Sequence, residues 1–363
     1  MRGVAALMVV IGHGQSAVAG VKAAAGGHFH RSMLIPWGAS VDLFFVISGF
    51  IMVHASGRLF GRAGARRDFL RRRLIRIVPL YWLVTVAFLA LLGLATLKGG
   101  DRFPSPGAIL ASFAFLPAPA WGDGRLFPVF DLGWTLNYEV FFYALLALVI
   151  VLPRRRALLA LGLMLAALVG VGAAIPGPSA AWFWTRPIMI DFGLGLGVGA
   201  LVARGVVLPR PLRVLAIVLG VTILIADPGH VFDGPLGTTV ANAWPRVFLA
   251  GVPMAMALAA AVLGPEPAMP RAGALFTRIG DASYSLYLLH PFALIAMEKL
   301  AQKLPAVRGA PGPLLVGGTV AVAIGLALVG YRRVERPMTA ALARLLTPRP
   351  PAAFPILATD PSS

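Results

Sequence analysis

Ten apolar stretches succeed one another along the 363 residues, and about 20 such residues are what a helix needs to cross roughly 30 Å of hydrocarbon. They fall at about residues 3–21, 39–55, 74–97, 132–152, 157–175, 182–203, 212–227, 243–264, 276–298 and 314–331. The connections between them leave no room for a separate soluble domain. The fold class expected is therefore all-α, a polytopic integral membrane helical bundle of about ten transmembrane helices. Composition agrees: 58% of residues are apolar and only 13% charged, against about 25% charged in soluble domains. One membrane domain is expected over residues 1–346, followed by a Pro-rich, disordered tail over 347–363.

The formal net charge is +18. In a soluble protein that would suggest nucleic acid, but on so greasy a chain it points to a bilayer, and no nucleic-acid partner is expected. Sorted by alternate loops, 20 of the 32 basic residues fall on one side and 8 on the other. By the positive-inside rule both termini are then cytoplasmic, as an even number of spans requires. A rival reading makes Arg2 to Ala19 a cleaved signal peptide, but His13 and Gln15 interrupt the pattern. The long connection over about residues 98–131, rich in Pro, Gly and Phe, is expected to pack as a re-entrant or lid segment. No inverted repeat of the kind seen in secondary transporters is found. The chain has no cysteine, which excludes disulfides, thiol nucleophiles and Cys-ligated metals. His28 and His30 lie in a Gly-rich loop and no HExxH spacing occurs, so no metal site is expected.

Inside a bilayer a polar side chain is costly unless partnered, so His13, Asp42, Arg76, Glu139, Asp191, Asp281 and His290 are the informative residues. Arg2 and His13 are eleven residues apart, within about 20° of a whole number of helical turns and about 16 Å apart along the axis. Two readings stand: a topological anchor with a structurally satisfied histidine, or an anion gripped at the mouth with its far end presented to a general base. Arg73 and Arg76 share a helix face. They are either an anchor or planar cations suited to phosphate. Glu139 pairs structurally, with Tyr143 one turn on or with an Arg, or it takes a direct part in chemistry. Asp42 sits near the start of its span, where Ser40 or Asp42 can cap the helix. Ser283, Tyr287 and His290 form a stripe that is either a polar track or a means of satisfying the carbonyls freed by Pro291.

These residues also carry a likeness. Arg2-Gly3-Val4 through Gly12-His13, Val41-Asp42-Leu43-Phe44-Phe45-Val46-Ile47-Ser48-Gly49-Phe50, Arg73-x-x-Arg76, Trp134 to Tyr143, Tyr284 to Pro291 and Glu335-Arg336-Pro337 resemble, in order, the acyltransferase 3 family of integral-membrane acyltransferases. The Leu-Asn-Tyr-Glu-x-Phe-Phe-Tyr form around Glu139 is most similar to the branch that acetylates exopolysaccharides. The resemblance implies an enzyme of the bacterial inner (cytoplasmic) membrane. It would take an acyl group, usually acetyl, from cytoplasmic acyl-CoA and place it on a sugar hydroxyl of a surface glycan or lipid-linked oligosaccharide. Acetyl-CoA is then a substrate, and no permanent cofactor is implied. Arg2, Arg73 and Arg76 match the family's functional arginines and would bind the CoA phosphates, and His13 matches its histidine. Glu139 would orient His13 or balance the arginines, while Asp42, Tyr287 and His290 are candidate lining residues. In the family a few residues usually precede the first arginine, whereas Arg2 directly follows Met1. The competing class is a transporter or flippase for a glycolipid or small anion, which would need no acyl-CoA.

Overall fold

The computed structural model describes residues 1–32, 34–99, 102–228, 243–265 and 273–346; the expected tail over 347–363 lies outside them. Among the described residues the chain is helical, with no strand. The principal helices are α1 (Arg2–Ala24), α2 (Ser40–Ala55), α3 (Ala65–Thr96), α4 (Pro106–Phe113), α5 (Gly133–Val149) and α6 (Arg154–Gly172). They continue as α7 (Ile190–Ala203), α8 (Arg210–Ala226), α9 (Trp244–Val262), α10 (Gly273–Asp281), α11 (Ser283–Lys303), α12 (Gly312–Gly330) and α13 (Arg336–Leu346). Among the described residues, six stretches of helix are long and apolar enough to cross a membrane: α1, α2 with its lead-in, α3, α6, α9 and the α12 to α13 rod. α5 and α7 are apolar but shorter. α8 spans 17 residues, and α11 carries the polar stripe. The protein is thus an all-helical membrane protein.

Which faces pack is dictated by side-chain size. α2 and α7 make the most extensive helix pairing, because Gly49 and Gly195 let the two backbones touch: a Cβ at Gly49 would overlap the Phe192 carbonyl, and one at Gly195 the Val46 carbonyl. Between lipid-facing helices such close approach replaces the hydrophobic effect as the source of association. α8 shows the opposite pattern, with Leu212, Leu215, Val218 and Ile225 all exposed and only Gly220 buried. That is the surface expected of a helix facing lipid. α1 packs against α2, α10, α11 and α12, as a member of the bundle.

The long connection folds as a compact piece. Ser105 caps α4, Ser112 Oγ accepts from the Val129 N–H at 2.8 Å, and Trp82 Nε1 donates to the Phe113 carbonyl at 2.9 Å. This ties residues 105–130 to α3.

Asp42 corrects an expectation: α2 has no side-chain cap. Asp42 instead accepts a two-pronged bond from Arg246, with Nε to Oδ1 at 2.9 Å and Nη2 to Oδ2 at 2.7 Å, both side chains fully buried. Arg246 immediately precedes a turn of π-helix, Val247–Gly251, and the Asp191 carboxyl lies buried beside the pair. Asp42 joins α2 to α9 and is not on the wall of the vestibule or the cleft described below. Arg246→Ala leaves a buried carboxylate uncompensated and is expected to lower unfolding stability by about 3–5 kcal/mol. Asp42→Leu combined with Arg246→Leu should recover most of that loss, as read from thermal unfolding in detergent.

Candidate active site

The seven arginines between Arg58 and Arg73 do not behave alike. Arg71 is tied down at the surface, by Asp68 at 3.1 Å and the Leu346 carbonyl at 3.0 Å. About half a turn and one and a half turns further along α3, Arg73 and Arg76 line cavities of the bundle. Arg73 is 9% exposed, stacks over the Phe69 ring at 5.7 Å, and has a buried Nε with no hydrogen-bond partner. Among the described residues neither Arg73, Arg76 nor Arg2 makes an ion pair.

These three arginines line two joined cavities. The outer one is a vestibule of about 1140 Å³ between α1, α3, α10 and α13, which also has Arg72, Arg336 and Glu335 on its wall. The inner one is a cleft of about 60 Å³ reaching past Glu139, Thr135 and Tyr287. Both share Arg2, Ile51, Arg73 and Arg76. The vestibule has the size of a binding site for a sizeable solute; the cleft admits only something narrow. Unpaired guanidiniums at the junction, in a medium of low dielectric, favour an anion there.

Carboxylates nearby are already engaged. Glu139 Oε1 accepts from Ser48 Oγ at 3.1 Å and from the Tyr143 hydroxyl, one turn along α5. Glu139 makes no hydrogen bond to His13. It faces the same cleft as Arg73 and Arg76, which fits a part in balancing their charge and leaves the orienting part to another group. Glu335 accepts from Ser285 Oγ at 2.6 Å from a second turn of π-helix, Tyr331–Glu335, at the vestibule wall.

The hydrogen-bond partner of His13 is His290. Its Nδ1 lies 3.1 Å from the Leu286 carbonyl oxygen, and its Nε2 lies 3.0 Å from His13 Nδ1. A carbonyl only accepts, so this network places the His290 proton on Nδ1 and leaves Nε2 as a lone pair. His13 must then donate from Nδ1, and the lone pair of neutral His13 is at Nε2. α1 lies along α10 and α11 in turn, Gly3 against Gly280 of α10 and His13 against His290 of α11. Neither imidazole is on the wall of the cleft. Tyr287 is, with its ring 6.4 Å from that of His290 and its hydroxyl fixed by Thr135 at 2.8 Å and the Leu132 carbonyl at 2.8 Å. His13 itself is exposed on its other side.

Of the residues singled out from sequence, Arg2, Arg73, Arg76, Glu139 and Tyr287 share one cavity, His13 and His290 form a pair just beyond it, and Asp42 lies elsewhere. Ser48, Thr135 and Glu335 were not anticipated; a Glu next to Arg336-Pro337 at the end of the last apolar stretch was the available signal for the third.

The family of acyltransferase domains known as acyltransferase 3 matches residues 1–332. The chain belongs to this family. It is 35% identical over 308 residues, covering 83% of this chain and 89% of the relative, to the exopolysaccharide production protein ExoZ of Rhizobium meliloti (strain 1021). It is also 33% identical over 154 residues, 39% of this chain and 74% of the relative, to protein 2 in the picA locus of Rhizobium radiobacter. No solved structure matches it. The protein is accordingly a membrane-embedded O-acyltransferase.

If His290 positions His13, His290→Leu is expected to lower the acyl-transfer kcat about 100-fold with the donor KM unchanged. His290→Gln, whose Oε1 can take the place of Nε2 as acceptor, should restore it to within about tenfold. Equal loss in both variants would mark His290 as packing only.

Proposed function

We propose that this acyltransferase moves an acyl group, acetyl in the first instance, from acyl-CoA to a sugar hydroxyl of an exopolysaccharide or its lipid-linked precursor. The enzyme is placed in the bacterial inner membrane with ten spans and both termini in the cytoplasm. The observation that carries the reading is the set of unpaired arginines at the junction of a wide vestibule and a narrow cleft that runs toward the histidine pair. The basic face is assigned to the cytoplasm by the loop charge count. The production of exopolysaccharide named for the Rhizobium meliloti relative supplies the acceptor class.

On this reading the nucleotide phosphates of the donor occupy the vestibule against Arg2, Arg73 and Arg76, and the slender pantetheine arm follows the cleft. α1 is unbroken from Arg2 to Ala24, so its rise from Arg2 to His13 is about 16 Å. The acceptor oxygen attacks the thioester carbonyl as His13 Nε2 takes its proton. The new C–O bond forms, the C–S bond breaks, and the departing thiolate receives the proton from His13. Lacking cysteine, the chain has no thiol to carry an acyl-enzyme, and direct transfer needs none. Glu139 balances Arg73 and Arg76, and Tyr287 bounds the inner end of the cleft.

Purified protein with labelled acetyl-CoA and de-O-acetylated polysaccharide tests this. His13→Ala is expected to lower transfer by about 10²–10⁴-fold while acetyl-CoA binding persists; full activity in that variant defeats the assignment. Arg73→Ala with Arg76→Ala should raise the acetyl-CoA KM at least about tenfold, since each charge-assisted contact is worth about 1.5–3 kcal/mol. A purely topological role predicts altered membrane orientation with unchanged kinetics.

A further inference from the structure

At the end of α1 and α11 remote from the arginines, the two helices part around a groove of about 380 Å³. Its α1 wall is built from small residues, Ser16, Ala17 and Gly20, and a Cβ at Gly20 would meet nothing within 4 Å. Its other wall carries Glu298 and Gln302, one turn apart on α11, with Arg308 from the segment that follows. Below the groove Val18 packs with Met297 and Leu315, and above it Lys22 Nζ donates to the Arg308 and Ala310 carbonyls at 2.8 and 2.5 Å. The groove is therefore framed on both ends by fixed contacts.

Two features set it apart from a lipid-facing dent. Glu298 is half-buried on the groove wall and, among the described residues, has no hydrogen-bond or ion-pair partner, only the charge of Lys299 beside it, so its carboxylate is available to a polar solute. Ser16 and Ala17 are also three and four residues from His13, on its helix face and about 5–6 Å further along the axis. The groove thus begins one turn above the catalytic imidazole, on the side of the imidazole away from the donor cleft. Ser16 Oγ is held by the Gly12 carbonyl and by Arg31 Nη1, each at 3.1 Å, which adds a second guanidinium at the rim.

We propose that this groove is the subsite for a sugar residue of the acceptor glycan, which offers its hydroxyl to His13 from the face opposite the arginines. A carboxylate, a primary amide and guanidiniums around a small-residue floor are the groups that hydrogen-bond the hydroxyls of a pyranose. The proposal rests on the reading of His13 as the base in transfer from acyl-CoA. It adds that donor and acceptor arrive from opposite faces and meet at the histidine pair.

The absence of cysteine from the sequence makes the test clean. Ala17→Cys and Gln302→Cys, on opposite walls, are each expressed in cells and treated from outside with a membrane-impermeant methanethiosulfonate. The O-acetyl content of the surface polysaccharide made afterwards is measured by mass. Acetyl-CoA affinity of the purified, labelled protein is measured in parallel. A fall of at least tenfold in acetylation, reversed by dithiothreitol, with acetyl-CoA affinity within twofold of the unlabelled protein, is the expected result. Loss on substitution alone with acetyl-CoA affinity retained supports the same assignment. Labelled variants that acetylate normally, or that label only from the cytoplasmic side, overturn it. An unlabelled parent protein that neither binds nor consumes acetyl-CoA instead removes the acyl-CoA reading, and the groove assignment with it.

Discussion

Arg246 and Asp42 meet through two parallel hydrogen bonds with neither side chain exposed. The helices that carry them are those around which the bundle closes, since α2 also lies in backbone contact with α7. A guanidinium in such surroundings is tolerated only with its charge met. Arg246 is met from within the protein. Arg2, Arg73 and Arg76 make no direct ion pair among the described residues and have only Glu139 and Glu335 across shared cavity walls, which separates them from the structural arginine. The bundle can hold unpaired cations at the junction of its cavities because its internal ion pair and glycine contacts already secure the helices that enclose them.

What could be read from the sequence was what lies within one helix. The apolar stretches gave helices close to where they occur, and the Arg2–His13 spacing survives because α1 runs unbroken through both. Tyr143 reaches Glu139 from one turn away, as i, i+4 geometry on α5 allows. What escaped was pairing across the fold. Asp42 looked like a helix cap because it sits near the start of α2, but its partner is 204 residues away in a place that periodicity does not mark. His290 was ambiguous for the same reason: a stripe beside a proline is equally suited to satisfying backbone, and His13 lies 277 residues from it. Glu335 depends on a π-turn that no apolar pattern announces.

The histidine pair gives the site its polarity. Because the His290 Nδ1 hydrogen is committed to the Leu286 carbonyl, each imidazole passes a defined tautomer to the next, and the free lone pair emerges at one nitrogen of His13. No carboxylate joins this chain of hydrogen bonds, since Glu139 bonds Ser48 and Tyr143 on the cleft that the arginines line. Tyr287, tethered to Thr135 and Leu132, stands between the inner end of the narrow cleft and the histidine pair.

Both turns of π-helix, Val247–Gly251 and Tyr331–Glu335, adjoin or contain a charged residue whose direction matters, Arg246 in one case and Glu335 in the other. A π-turn holds one residue more than an α-turn. Excising the extra residue from either would regularise the ladder and change the direction of the side chains at the turn itself. Arg246 would swing away from Asp42, or Glu335 away from Ser285. These two irregular turns are therefore joints at which one residue more or fewer decides where a charge is aimed, a constraint that acts on chain length and not on residue type.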